Sequence, residues 1–177
     1  GGSDIFGLVG PRRRKPVIQA VQGYCFTWGV EMMLNTEVRI AADDTQFAML
    51  EVQRGLYPCG GATIRLPRQM GYANAQRYLL TGEPWTATEA YRMGMVQDVV
   101  PVGQQYEVAM EVAKSIARAA PLAVEGVMKA VHFAGHHSET EAVEQMFADL
   151  VPVMRSEDAT EGIQSFIERR EAVFKGC

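Results

Sequence analysis

The stretch KPVIQAVQGYCFTWGVEMML, residues 15–34, joins a short apolar run to a turn and a helix. The run between Pro16 and Gly23 is rich in β-branched residues, which predicts a buried strand. The chain then turns at 27–29 into an apolar helix that carries one acid, Glu31, about one turn from its start. Because the first N–H groups of a helix are unpaired and lie at its positive end, such a turn suits a developing negative oxygen.

Composition favours a folded globular protein. The chain has 177 residues, 47% hydrophobic and 21% charged, with a net charge of −4, which suits one globular domain with a real core. The acidic balance argues against a nucleic-acid partner, and no apolar run reaches membrane-spanning length. Three scattered cysteines, Cys25, Cys59 and Cys177, predict neither a disulfide framework nor a zinc site, but a reduced, cytoplasmic protein.

The two halves of the chain differ in pattern. Alternation in Val38–Ala42 and the run MVQDVVP predict further strands, and Gly82 and Gly94 are expected to end two short helices, the second opened by a capping box of Thr86 and Glu89. After Gln104 the pattern is helical, with one apolar face of Val108, Val112, Ile116 and Ala120 and a last helix capped by Ser156. We therefore expect an α/β region over residues 1–102 and a helical region over 103–177.

A second acid completes a candidate site. Glu51 ends the apolar run FAMLE, just before the glycine-rich loop of residues 55–61. Burial raises the pKa of a carboxylate and lets it exchange protons near neutral pH. Glu31 and Glu51 around one cavity could hold and activate a water, one accepting and one donating a proton. An acid at a helix edge that reaches solvent is the alternative interpretation of each.

Several ordered motifs, from about Lys15 to Gly176, carry a family resemblance. They are K-P-V-I-x-A-V-x-G-Y, G-x-E on a helix, R-I-A-A-x-D-x-x-F, E-V-x-x-G-L-x-P, G-G-A-T-x-R-L-P, the run LLTGEPWTATEAYRMGMVQDVVP and the tail EGIQSFIERREAVFKG. With these motifs in this order, the chain resembles the crotonase superfamily, the enoyl-CoA hydratases and isomerases.

The resemblance implies a spiral of β-β-α units followed by a helical C-terminal region that packs homotrimers, often paired into hexamers. It implies an acyl-CoA substrate, a thioester enolate, and no separate cofactor, since coenzyme A belongs to the substrate. The two glutamates that hold water in the hydratases match Glu31 and Glu51. Members that only isomerise commonly keep one, so hydration of a 2-enoyl-CoA is expected. Isomerisation, dehydration or acyl-CoA binding without catalysis are the alternatives.

Two departures from the family pattern stand out. The family has three glycines at the turn, the middle one donating an N–H to the oxyanion. Here Trp28 takes that position; its backbone N–H is retained, and its indole is expected to narrow or redirect the acyl pocket. In the family, the second donor of a hydrogen bond to the oxyanion comes from an A-G-x-D-L-like segment well before Lys15. GGSD at residues 1–4 lies too close to Lys15 for that role, and the chain starts without methionine, so we expect the N-terminal part of the fold to be missing from this chain.

Other candidates are weaker. The family tail brings a Phe and a Lys to the CoA of a neighbouring subunit, and Phe174–Lys175 matches loosely. PRRRK could meet CoA phosphates or form a solvated loop. A metal site at His132, His136 and His137 is less expected than a helix end at Gly135. Cys25 and Cys59 are expected to be small packing residues. Met146, Phe147, Leu150 and Val151 are expected in the core or at a subunit interface.

Overall fold

The computed structural model describes residues 4–177. They form two compact units: the first contains the chain up to Arg13 and Val17–Glu111, and the second contains Arg14–Pro16 and Val112–Cys177. Within residues 4–177, no helix combines the length and the apolar character needed to cross a bilayer.

The strands of the first unit form two three-stranded sheets. In one, β1 (Ile18–Val21) and β6 (Asp98–Val100) both pair in parallel with β3 (Val38–Ala42). In the other, β4 (Gln46–Ala48) pairs in parallel with β2 (Tyr24–Phe26) and antiparallel with β5 (Trp85–Thr86). The predictions of β1, β3 and β6 are confirmed. The second sheet was not anticipated, because strands of two or three residues are too short to show a period.

The helices of the first unit are short. They are α1 (Trp28–Met33), a 3₁₀ helix (Glu51–Arg54), α2 (Ala62–Met70), α3 (Tyr72–Thr81) and α4 (Ala87–Arg92). Gly82 follows α3 in the left-handed conformation, as predicted. The Thr86 hydroxyl accepts from the N–H of Glu89 at 3.2 Å, but the Glu89 carboxylate binds Arg92, so the structure shows only the Thr86 side of the predicted capping box.

The core of the first unit lies behind the turn at residues 27–29. Val30 and Met33 on α1 are fully buried and cluster with Phe47 of β4, Met49 after β4 and Leu66 of α2. The buried face of α1 therefore anchors the turn, because Val30 and Met33 are packed in the core.

Four helices make up most of the remaining chain: α5 (Gln105–Ala117), α6 (Pro121–Ala134), α7 (Glu139–Met154) and α8 (Glu157–Glu168). The boundary between the two units falls within α5. Ser156 caps α8, as predicted, by accepting from the N–H of Ala159 at 3.0 Å. The prediction that Ala120 continues the helical face of α5 is wrong. Ala120 precedes α6, and Pro121 after it disfavours helical backbone at that point.

Candidate active site

The turn before α1 has a strained backbone. Thr27 has φ 48° and ψ −110°, a region that a β-branched residue rarely adopts. Its N–H donates to the carbonyl oxygen of Ala48 at 2.8 Å, which fixes the turn to the end of β4. Strain of this kind costs on the order of 1–3 kcal/mol and clusters at functional sites. The strained backbone of Thr27 therefore supports a functional role for the geometry of this turn.

Trp28 is the first residue of α1, where a backbone N–H has no partner within the helix. The Trp28 N–H thus lies at the start of a helix, and its role as an oxyanion donor stays a prediction. The Trp28 side chain is 60% exposed. Its indole meets the ring of Phe6 edge to face, with centroids 5.7 Å apart and planes at 70°.

Glu31 points into the protein rather than into solvent. It is fully buried, and its Oε1 accepts from the N–H groups of Gly60 at 2.7 Å and Ala62 at 3.1 Å. Its Oε2 is also buried and has no hydrogen-bond partner among the residues that the structure describes. One oxygen therefore fixes the carboxylate, and the other retains its full capacity to accept a hydrogen bond.

Gly60 explains why the glycine-rich loop is needed. A Cβ at this position would lie 2.6 Å from Glu31 Oε2 and 2.8 Å from Phe6 Cδ1. Any larger residue would therefore push against the carboxylate that the Gly60 N–H holds. The glycine pair at 60–61 was visible in the sequence, but its contact with Glu31, 29 positions earlier, was not.

Glu51 is the first residue of the 3₁₀ helix and is partly buried. Its Oε2 is buried and, within residues 4–177, has no hydrogen-bond partner. Burial raises the pKa of Glu51, and the negative charge of Glu31 raises it further by a smaller amount. The charge of Glu31 therefore acts on Glu51, and each carboxylate has one buried oxygen without a hydrogen-bond partner among the described residues.

The segment before residue 10 also reaches the site, which the sequence did not predict. The Asp4 carboxylate accepts from the N–H groups of Phe6 at 3.1 Å and Leu8 at 2.8 Å. The Arg65 guanidinium, on α2, donates to the carbonyl oxygens of Phe6 and Gly7. These bonds fix Phe6 beside Trp28 and Gly60. Residues 1–3 of the GGSD motif lie outside the described residues.

Lys175 belongs to the second unit, lies after the end of α8 in the chain and is exposed. Its backbone N–H donates to the buried Asp158 carboxylate at 2.6 Å, and that of Gly176 donates to the same group at 2.8 Å. Asp158 therefore fixes the tail to the start of α8. The predicted contact of Lys175 with CoA stays a prediction.

The lesser candidates have structural explanations. The rings of His136 and His137 approach the carbonyl oxygens of His132 and Phe133 at 2.8 and 2.9 Å, at the end of α6. No group of three metal-ligating side chains occurs in the described part of the chain. Cys25 is buried in the hydrophobic core, which confirms a packing role, and burial raises the pKa of its thiol to about 12.

The prediction that Cys59 is a packing residue is wrong, because Cys59 is exposed in the loop before Gly60. The basic run PRRRK forms ion pairs in both units. In the first unit Arg13 pairs with Glu37 at 3.2 Å, and in the second Arg14 pairs with Glu125 at 2.8 Å. Carboxylates therefore already bind two of its three arginines.

Comparison with known proteins identifies the family. The family model for enoyl-CoA hydratase/isomerase matches residues 12–177. The chain is 38% identical over 168 residues to the enoyl-CoA hydratase EchA19 of Mycobacterium tuberculosis, covering 95% of this chain and 63% of that protein. It is 35% identical over 170 residues to the mevalonyl-coenzyme A hydratase sidH of Aspergillus fumigatus, covering 93% and 63%. The chain thus spans less than two thirds of the length of these curated relatives.

A solved structure extends the match to three dimensions. The crystal structure of a probable enoyl-CoA hydratase/isomerase from Mycobacterium abscessus superposes with a TM-score of 0.96 at 41% identity, covering 99% of this chain and 68% of that one. The crotonase-type fold predicted from the sequence is confirmed. With a family model that matches nearly its whole length, this chain belongs to the enoyl-CoA hydratase/isomerase family.

Proposed function

We propose that the protein adds water to the double bond of a 2-enoyl-CoA through a thioester enolate. The observation that supports this most is the carboxylate pair: Glu31 and Glu51 each have a buried, unpartnered oxygen among the described residues, and the charge of Glu31 raises the pKa of Glu51. Both hydratase relatives act, by their names, on CoA thioesters. Since CoA is part of the substrate, the reaction needs no separate cofactor.

The proposed chemistry begins at the turn. The Trp28 N–H donates to the thioester carbonyl oxygen, which gains negative charge as the enolate forms. Glu31, fixed through Oε1, uses Oε2 to accept a proton from a water as the water oxygen bonds to the β-carbon. Glu51, whose pKa is raised, donates a proton to the α-carbon. The net change is one water added, and transfer of a proton from Glu31 to Glu51 restores both groups.

The test is hydration of crotonyl-CoA, followed by loss of the conjugated thioester absorbance and by the mass of the product. Glu31→Gln and Glu51→Gln should each lower kcat by roughly 10²–10⁴-fold, because each removes a proton-transfer group while preserving its shape. Glu107→Gln, an exposed glutamate on α5, is the matched control and should keep the wild-type rate. Full activity in Glu51→Gln would show that its assigned role is wrong.

Acyl-CoA binding without hydration is the second candidate, and the observation that favours it is Trp28 in place of the family glycine. Calorimetry with butyryl-CoA, beside the hydration assay, separates the two. Binding without product formation in the wild-type protein would support the non-catalytic function, whereas binding with hydration would support the enzyme.

We further propose that the protein assembles as a homotrimer or as a hexamer of two trimers. Two helices of the second unit expose apolar side chains at helical spacing: Val127 and Val131 on α6, and Ile163, Phe166 and Ile167 on α8, all 62–85% exposed. Patches of this kind usually mark interfaces. Sedimentation equilibrium should give three or six subunits, and a monomer at micromolar concentration would contradict the proposal. In such an assembly Lys175 would reach a neighbour's CoA, and Lys175→Ala should then raise KM for crotonyl-CoA while kcat stays unchanged.

A further inference from the structure

The two tryptophans of the chain differ sharply in exposure. Trp85 is 2% exposed and packs against Phe47 and Tyr78. Trp28 is 60% exposed, and its edge-to-face contact is with Phe6. An indole is a large apolar surface, and leaving most of it in water forgoes the free energy of its burial. The exposure of Trp28 leaves most of its indole surface free to contact a ligand.

Phe6 lies between this indole and the Glu31 carboxylate. Its ring approaches the position that a Gly60 Cβ would occupy to 2.8 Å, and Glu31 Oε2 approaches the same position to 2.6 Å. The Phe6 ring and the Glu31 carboxylate thus both lie close to Gly60. The Phe6–Trp28 pair, defined by these two rings, forms an apolar surface beside the available oxygen of Glu31.

The Phe6 end of this surface is held from several directions. Asp4 accepts from the Phe6 N–H, Arg65 donates to the carbonyl oxygen of Phe6, and the Asn35 side-chain amide donates to that of Ile5 at 3.0 Å. These hydrogen bonds fix the backbone of Ile5 and Phe6, from which the Phe6 ring projects. A ring held in place can exclude a ligand by size, whereas a mobile ring would yield.

We propose that the Phe6–Trp28 pair is the specificity-determining wall of the acyl site, against which the acyl chain packs, and that it selects short acyl groups. The inference rests on the proposed function, since it concerns the same site. The N–H that would bind the thioester oxygen and the indole belong to one residue. The first carbons of any acyl group bound there must therefore lie within reach of that indole, and a longer chain meets the two rings.

Fluorescence tests the contact without requiring turnover. A Trp85→Phe variant leaves Trp28 as the sole tryptophan, because the chain contains two. Butyryl-CoA, which is saturated and has no double bond to hydrate, should shift the Trp28 emission to shorter wavelength by displacing water from the indole. Coenzyme A alone should leave the wavelength unchanged. In the matched Trp28→Phe variant, emission from buried Trp85 should not respond. Calorimetric binding of butyryl-CoA with no shift in Trp28 emission would overturn the proposal.

Chain-length selectivity tests the wall itself. Trp28→Ala keeps the backbone N–H and should raise the ratio of kcat/KM for 2-decenoyl-CoA to that for crotonyl-CoA at least about tenfold, because a single methylene is already worth roughly 10–200-fold in a fitted pocket. Phe6→Ala should change this ratio in the same direction. Tyr24→Ala removes an 80% exposed ring on β2 and should leave the ratio unchanged.

The outcomes separate the wall from the reaction. If the wild-type protein hydrates crotonyl-CoA and Trp28→Ala leaves the ratio of the two kcat/KM values unchanged, the Phe6–Trp28 wall is overturned and the proposed function stands. If it hydrates nothing, the proposed function fails, and the ratio of dissociation constants for decanoyl-CoA and butyryl-CoA gives the same comparison. A tenfold change in that ratio in Trp28→Ala supports the wall, and an unchanged ratio or no acyl-CoA binding overturns it.

Discussion

Replacing Gly60 by alanine is the smallest change that disturbs the carboxylate pair. The backbone of Gly60 needs no left-handed conformation, so an alanine fits its main chain without strain. Its Cβ would, however, lie 2.6 Å from Glu31 Oε2. Ordinary van der Waals contact begins at 3.4 Å, so the oxygen has to withdraw by about 0.8 Å. The substitution therefore acts on the position of Glu31.

The expected effects of Gly60→Ala on stability and on rate follow from this displacement of the Glu31 carboxylate. Glu31 Oε1 lies 2.7 Å from the Gly60 nitrogen, and moving the carboxylate lengthens this hydrogen bond. Hydrogen bonds to charged groups contribute about 1.5–3 kcal/mol, so Gly60→Ala should lower the free energy of unfolding by roughly that amount. A catalytic group misplaced by ~1 Å costs on the order of 10² in rate. We expect kcat/KM for crotonyl-CoA to fall about a hundredfold.

The assay compares hydration rates and urea unfolding for Gly60→Ala and for a matched Gly126→Ala. Gly126 lies in the interior of α6, and a Cβ there would meet no atom within 4 Å. This control should keep the wild-type rate and gain about 0.5–1 kcal/mol of stability. A folded Gly60→Ala protein with the wild-type rate would refute the argument that Gly60 positions Glu31 for catalysis.

Two further predictions concern the turn and the second acid. Thr27→Gly should raise the free energy of unfolding by roughly 1 kcal/mol, because relief of strain at φ 48° outweighs the entropy of a glycine; a clear loss of stability in urea unfolding would contradict this. The pKa of Glu51 is raised, so its protonated form persists above the ordinary pKa of 4.5. The contribution of Glu51 to the free energy of unfolding is therefore present below pH 4.5 and is lost as the pH rises through the raised pKa. Accordingly kcat/KM should fall over the same range, and an NMR titration should find the pKa of Glu51 lower in Glu31→Gln than in the wild-type protein, because the charge of Glu31 raises it.

The sequence predicted those parts of the fold whose pattern is local. The apolar run before Gly23 and the alternation in Val38–Ala42 were long enough to indicate strands. The second sheet was missed because its strands pair residues such as Cys25 and Phe47 over segments of two or three residues. Such segments form a sheet only through contacts with distant parts of the chain, which no local period reveals.

The candidate site shows the same difference between local patterns and long-range contacts. Glu31 and Glu51 stood out as acids in apolar surroundings, and the structure gives each a buried oxygen. The contacts around Glu31 were not found, because the Gly60 N–H binds Glu31 across 29 positions of sequence, and Arg65 fixes Phe6 beside Gly60 across 59 positions. A pattern read along the chain identifies reactive groups, whereas the groups that fix them emerge from tertiary structure.

The central claim is that Glu31 and Glu51 together add one water to an enoyl thioester. Its most direct test is reaction of crotonyl-CoA in ¹⁸O-labelled water, with mass analysis of the product from the wild-type protein and from Glu51→Gln. We expect the wild-type protein to form a hydroxyacyl-CoA that carries one ¹⁸O on its β-carbon, and this product to be almost absent with Glu51→Gln. Unlabelled double-bond isomer as the product, or equal labelling by both proteins, would contradict it.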